Sequence, residues 1–285
     1  MTTTTLTYLG ILIKKINGEI QINQKKYLER LLDKWGMLDC KGCKTPMDSN
    51  FNIDEKIEVD MSYEHQCRSL IGSLMYATVG SRPDLAMAVY YLSRFQSRPN
   101  KNLWQALKRI LRYVKQTLEY SLIYRRHNFE FSLIGYADAD FARDSDRKST
   151  SGYLFKLFDN TIIWKSRKQS TVSLSTTEAE FVSLCEATME ACWIKKLLLD
   201  LNIDIDCIHV FEDNQSTIKA VSNYDQKRLK HMDVKYNFIK EKVEQKLIDI
   251  VYIKTDEQLA DILTKPVSKN KLETFVKDIG LEVRN

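Results

Sequence analysis

The first hundred or so residues switch their apolar spacing from strand-like to helix-like. Tyr8-Leu9-Gly10-Ile11-Leu12-Ile13 is an apolar run, Asn17-Gly18 is a strong turn signal, and Ile20 and Ile22 alternate with polar neighbours. This pattern predicts a hairpin over residues 8–23. Tyr27, Leu28, Leu31, Leu32 and Trp35 then fall on one stripe, which predicts a helix over residues 24–38. A loop follows through Lys44-Thr45-Pro46 to about Tyr63. Residues 64–118 read as mostly helical, with breaks at Arg82-Pro83-Asp84 and Arg98-Pro99-Asn100. The last helix of this stretch has Leu103, Leu107, Ile110, Leu111 and Val114 at core spacing, and it also carries Lys101, Lys108, Arg109, Arg112 and Lys115. Those charges form either a solvated face or a nucleic-acid contact.

From residue 129 the pattern changes again. Strands are predicted over 129–141, 152–158 and 161–164, the last two joined by a turn at Asp159-Asn160. A long helix follows from about Thr176 to Leu201, then a strand (207–211), a short helix (215–222), a basic helix (about 231–246), a strand (248–253) and a final helix (256–265). Three successive strands followed by β/α alternation predict an α/β fold, with a mixed five-stranded sheet and helices on its faces.

Composition narrows the partners. The chain has 285 residues, 44% of them apolar, so a substantial core can form, and only 9 Gly and 4 Pro argue against a disordered chain. Forty-three basic against 38 acidic residues, net +5, permit a polyanionic partner without demanding one. Six cysteines in a chain of this size read as reduced thiols. Cys40-Lys41-Gly42-Cys43 has zinc-like spacing but lacks a second pair, which favours unligated thiols. Met1 to Thr5 has no signal-peptide pattern, and no apolar run reaches about 18 residues, so no membrane partner is expected.

The candidate chemistry lies in carboxylates. Asp138 sits near the end of the first strand of the second half, in Gly135-Tyr136-Ala137-Asp138-Ala139-Asp140, and Asp213 ends the fourth, in Val210-Phe211-Glu212-Asp213-Asn214. Open α/β sheets form their sites at the carboxyl ends of strands, where these two converge. Ser175-Thr176-Thr177-Glu178 has the form of a capping box, which gives Glu178 a structural task and leaves Glu180 free. Thr255-Asp256-Glu257-Gln258 reads as a second box, ahead of Asp261. Converging carboxylates repel unless cations neutralise them, and oxygen-only ligands favour Mg²⁺ or Mn²⁺. Asp140 points to the same face as Asp138 and is read as a supporting residue. Lys227-Arg228-Leu229-Lys230-His231 and Lys235 are either a solvated face or phosphate contacts.

Several strings resemble the copia-type LTR retrotransposon Pol polyprotein. Tyr136-Ala137-Asp138-Ala139-Asp140-Phe141-Ala142, Ser149-Thr150-Ser151-Gly152-Tyr153, Trp164-Lys165-Ser166-Arg167-Lys168-Gln169, Ser175-Thr176-Thr177-Glu178-Ala179-Glu180-Phe181, Asp213-Asn214-Gln215, Lys230-His231-Met232-Asp233 and Ala260-Asp261-Ile262-Leu263-Thr264-Lys265 are similar, in order, to its ribonuclease H domain. Tyr8-Leu9-Gly10-Ile11, the stretch from Leu70 to Tyr76 and Ser81-Arg82-Pro83-Asp84 look like the end of its reverse transcriptase.

The resemblance implies a reverse-transcriptase remnant at 1–127 (primer-grip hairpin, thumb and connection), a ribonuclease H domain at 128–266 and a C-terminal tail at 267–285. It implies an RNA–DNA hybrid as substrate and two Mg²⁺ ions on Asp138, Glu180, Asp213 and Asp261, with Mn²⁺ as a possible substitute. Lys165, Arg167, Lys168, Lys230, His231 and Lys235 are the implied nucleic-acid contacts, and other parts of the polyprotein are further partners. The location it implies is a cytoplasmic virus-like particle or the nucleus. No Tyr-x-Asp-Asp motif is present, so no polymerase activity is expected. The segment 253–259 lacks the His that cellular ribonucleases H carry before the last Asp. The alternative is a catalytically silent nucleic-acid-binding remnant.

Overall fold

The computed structural model describes residues 4–53, 57–126, 133–143, 145–222 and 232–283. It divides into two compact units, one of Met1–Arg126 with Pro266–Asn285, the other of His127–Lys265.

In the first unit the expected hairpin is a three-stranded meander: β1 (Thr4–Tyr8), β2 (Ile11–Ile16) and β3 (Glu19–Asn23). Leu9 (φ 47°) and Gly10 (φ 77°) take left-handed backbone, so the apolar run that reads as one strand folds back on itself. Asn17 and Gly18 do the same between β2 and β3. Helix α1 (Lys25–Lys34) buries Leu28, Leu31 and Leu32, as its stripe requires. Helices α2 (Glu64–Gly80), α3 (Ala86–Ser93) and α4 (Lys101–Gln116) supply most of the remaining core. Two of the basic residues of α4 hold the preceding loop: Arg109 pairs with Asp48 at 2.6 Å and bonds Thr45, and Arg112 donates to the Lys41 carbonyl at 2.8 Å. Strand β4 (Tyr120–Tyr124), unanticipated in so short a segment, pairs with β3.

The second unit holds the expected mixed sheet. Its strands are β5 (Leu133–Asp140), β6 (Thr150–Leu157), β7 (Asn160–Lys168), β8 (Ile208–Glu212) and β9 (Ile248–Tyr252), in the order β7-β6-β5-β8-β9. The β7-β6-β5 pairs are antiparallel and the β5-β8-β9 pairs parallel. The β6–β7 turn is Phe158-Asp159, one residue earlier than expected, with both residues at positive φ. Strand β7 runs on through Lys168, which places Lys165, Arg167 and Lys168 on a sheet edge.

Helix α5 (Thr176–Asp200) covers one face of this sheet. Phe181, Leu184, Ala187 and Ile194 meet Leu133, Ala137, Tyr153, Phe155, Ile208 and Val210 there, joined by Val221 of α6 (Gln215–Ser222) and by Tyr236 and Ile239 of α7 (Asp233–Glu244). A Cβ on Gly135 would stand 2.5 Å from the Phe155 ring, so the backbone there must be bare.

The final helix expected over 256–265 is instead a short 3₁₀ turn at Leu259–Leu263. Gln258 precedes it in extended conformation (ψ 104°), which stops a helix from starting earlier. The turn lies against the sheet at Gly152, the register partner of Asp138, where a Cβ would come within 2.7 Å of Thr264.

Of the expected tail at 267–285, the described residues 267–283 are structured. Helix α8 (Lys269–Asp278) leads through Gly280 (φ 74°) to β10 (Leu281–Val283), which pairs antiparallel with β4 and completes a second five-stranded sheet, β1-β2-β3-β4-β10. Arg125 fastens it, pairing with Glu282 at 2.7 Å and Glu19 at 3.1 Å. Unpaired backbone groups at the β4 edge drive this closure. A three-residue strand leaves almost no periodic signal in the sequence.

Candidate metal centre

The parallel pairing of β5 and β8 ends at Tyr136↔Phe211. Past that point the two strands no longer pair, and their carboxyl ends are the usual site in an α/β sheet. Asp138 enters it from β5 and Asp213 from the residue after β8. Glu180 enters from the start of α5, whose N-terminus is capped by Ser175 Oγ accepting from Glu178 N–H at 3.1 Å. Glu178 in turn accepts from Leu174 N–H at 2.7 Å, so it is spent on the helix start and Glu180 is not. One oxygen each from Asp138, Glu180 and Asp213 lie within 4.8 Å of one another.

These groups sit in a poor medium for charge. Asp138 is 3% exposed and Glu180 7%. Burial, then the neighbouring Asp261 charge, lifts the Asp138 carboxyl from 3.8 to about 7, with Asp213 adding to the lift and Lys265 and the Thr264 hydroxyl opposing it. Burial, then Asp138, Glu212 and Asp213, pushes Glu180 well above the carboxylate range. Glu180 Oε2 has no hydrogen-bond partner among the described residues. Hydroxyls fix the strand end: Thr264 Oγ1 donates to Asp138 Oδ2 at 2.5 Å, and Ser183 Oγ donates to the Asp138 carbonyl at 2.7 Å.

Asp261 stands apart from the three. It is buried in the 3₁₀ turn and ion-paired with Lys265, although its charge reaches Asp138. The cost of burying the Lys265 ammonium is outweighed by Asp138, Asp261 and Asp140, which raise its pKa. Asp140 lies 3.6 Å from Arg143 and is outside the converging group.

Two residues of this centre escaped the sequence reading. Glu212 is fully buried; Oε1 accepts from Asn214 N–H at 3.0 Å, and Oε2 has no partner among the described residues. Burial raises its pKa well above the usual range, backbone N–H groups of Asn214 and Asp213 oppose the rise, and Asp138 and Asp213 add to it. A signal existed: Ile208, Val210 and Glu212 share the buried parity of β8. The second residue is Gln258, read as part of a capping box. Its amide instead donates to the carbonyls of Ala137 and Phe211, at 2.9 and 3.3 Å.

The basic candidates divide. Lys168 pairs with Asp146 at 2.8 Å, and Lys165 lies 5.6 Å from the Tyr153 ring centroid. Arg167, Lys165 and Lys235 act together on half-buried Glu186, lowering a pKa that burial raises further. Lys230 and His231 lie outside the described residues.

No family model matches the chain. It is 37% identical over 281 residues to the retrovirus-related Pol polyprotein from transposon TNT 1-94 of Nicotiana tabacum, which covers 96% of this chain and 21% of that protein. It is 35% identical over 277 residues to that from transposon RE2 of Arabidopsis thaliana, covering 96% of this chain and 19% of that protein. The chain thus spans about a fifth of the length of these relatives. Among solved structures, LC11-RNase H1 isolated from compost is 17% identical, covering 51% of this chain and 98% of that one at a TM-score of 0.39.

Proposed function

From a chain that belongs to the copia-type retrotransposon Pol polyproteins, we propose a ribonuclease H: an endonuclease that hydrolyses the RNA strand of RNA–DNA hybrids. The observation that carries this reading is the convergence of Asp138, Glu180 and Asp213 within 4.8 Å at the carboxyl end of the sheet. Buried carboxylates with an unpartnered oxygen fit hard divalent cations, which accept oxygen ligands and remove the repulsion. Asp138, Glu180 and Asp213, with Asp261 beside them, would hold two Mg²⁺, or Mn²⁺ in their place. Such a pair supplies an activated water and stabilises the leaving oxygen of a phosphodiester.

The chain's own residues do the rest. Thr264 and Ser183 hold Asp138 in one orientation from two sides. Lys265 neutralises part of the Asp261 charge through their ion pair. Lys165, Arg167 and Lys168 on the β7 edge, with Lys230, His231 and Lys235, bind backbone phosphates. The choice of the RNA strand comes from contacts to ribose 2′-OH groups and from the groove shape of the hybrid. The polyprotein's other parts are further partners, and the setting is a cytoplasmic virus-like particle or the nucleus. No helix among the described residues is long and apolar enough to cross a membrane.

The test is incubation of the purified chain with an end-labelled RNA–DNA hybrid, a DNA duplex and an RNA duplex, each with Mg²⁺ or EDTA. The expected result is Mg²⁺-dependent cutting of the hybrid's RNA strand alone. Hybrid binding without cutting in either Mg²⁺ or Mn²⁺ overturns the enzyme in favour of a silent binding remnant.

A further inference from the structure

We propose that Gln258 is the positioning residue that holds three of the centre's carboxylates in register, an assignment that rests on the metal-centre reading above. Strands β5 and β8 stop pairing after Tyr136↔Phe211. A fork between parallel strands strands backbone carbonyls that the ladder no longer serves, and buried carbonyls demand donors. Gln258 meets that demand. Its side chain is buried, and Nε2 donates to the Ala137 carbonyl at 2.9 Å and to the Phe211 carbonyl at 3.3 Å. Oε1 accepts from Ala260 N–H at 3.2 Å.

A neutral amide offers two N–H donors and a carbonyl acceptor, and all of these are engaged here. The three anchor points are the elements that bear Asp138, Asp213 and Asp261. Ala137 immediately precedes Asp138, Phe211 lies two residues before Asp213, and Ala260 immediately precedes Asp261. The side chain therefore sets the width of the fork and ties the 3₁₀ turn to it. It acts through backbone, since its side-chain hydrogen bonds among the described residues end on main-chain atoms. Few replacements can do the same. Glu offers an acceptor where two donors are needed, Asn is one methylene too short to span the same atoms, and Met fills the volume with no polar atom suited to the task.

The experiment compares the full-length wild-type chain with Q258A and Q258M, each checked for folding by its circular dichroism melt. Mg²⁺ binding is measured by calorimetry on metal-stripped protein, with no nucleic acid present. Hybrid cleavage is measured across a Mg²⁺ series. The expected result is Mg²⁺ affinity weakened by about tenfold, in the range typical when an outer residue that orients metal ligands is lost. The maximal rate should fall, KM for the hybrid should stay near wild type, and much of the rate should return at high Mg²⁺. Q258M keeps the volume, so it serves if the cavity in Q258A prevents folding. A folded variant with wild-type Mg²⁺ affinity and rate overturns the inference, leaving Gln258 as a cap of the turn. Wild-type protein that binds no Mg²⁺ at millimolar concentration overturns the metal-centre reading itself, and the inference falls with it.

Discussion

Replacing Asp138 by Asn should stabilise the metal-free protein at neutral pH while abolishing cleavage. Asp138 is 3% exposed, and its carboxyl is lifted from 3.8 to about 7 by burial first, then by Asp261. A folded-state pKa above the unfolded one means that the folded chain binds the proton more tightly. The stability this proton gives is therefore complete below about pH 4 and is lost as pH rises through about 7. From 3.8 to about 7, the loss is on the order of 4 kcal/mol. Part of the rise belongs jointly to Asp138 and its acidic neighbours, so about 2–4 kcal/mol is the working range. Asn removes the titration and still accepts from the Thr264 hydroxyl. At roughly 3 °C per kcal/mol, melting of the variant in EDTA at pH 8 should exceed wild type by about 6–12 °C, and the gap should close toward pH 5. Scanning calorimetry at both pH values measures this. Saturating Mg²⁺ should narrow or invert the difference, because only the wild-type site gains the ligand's stabilisation. Equal or lower melting of the variant at pH 8 would show that the carboxylates carry no mutual strain and would refute the electrostatic basis of the site.

Three further outcomes are expected. Asp140→Asn should reduce cleavage less than Asp138→Asn in single-turnover assays, because Asp140 lies toward Arg143 and outside the converging group; the reverse order would place the site two residues out of register. Truncation after Lys277 removes β10 and the Arg125–Glu282 pair, so urea melts should show the first unit destabilised by about 1–3 kcal/mol while cleavage persists; an unchanged melt would mean that β10 contributes nothing. Arg109→Ala should lower stability by roughly 1 kcal/mol through the loop it holds, and leave the salt slope of hybrid binding unchanged, since its charge is spent on Asp48; a slope reduced by about one would assign it to a phosphate instead.

Much of the second unit was legible because its elements are periodic and long. Alternation in β5 and the apolar face of α5 fixed the sheet and its covering helix, and Ser175 with Glu178 fixed where that helix starts. Strand-end logic brought out Asp138 and Asp213, and the capping box that occupies Glu178 left Glu180 as the free carboxylate. What stayed hidden has one of two physical origins. Leu9-Gly10, β4 and β10 depend on backbone that folds over or pairs across long sequence separations, and three to five residues cannot announce such a partner. The turn at Leu259–Leu263 was misread for a different reason.

Local sequence around 255–258 matches a helix cap, and a cap is the better solution for an isolated segment. In the folded unit the Gln258 amide has a competing claim, because the fork between β5 and β8 presents two buried carbonyls. Leaving those carbonyls unpaired would cost about 1–3 kcal/mol each, against roughly 1 kcal/mol for a lost cap. Tertiary demand therefore outweighs local preference, the residue turns extended, and the helix shortens to a 3₁₀ turn that sets Asp261 against Lys265. Glu212 is the mirror case. Its alternation with Ile208 and Val210 puts it on the buried face, yet a carboxylate at such a position is expected only where a cation or a proton accompanies it. Its buried position beside Asp213 is thus a sequence-level sign of the same centre, and it would have pointed there without any motif.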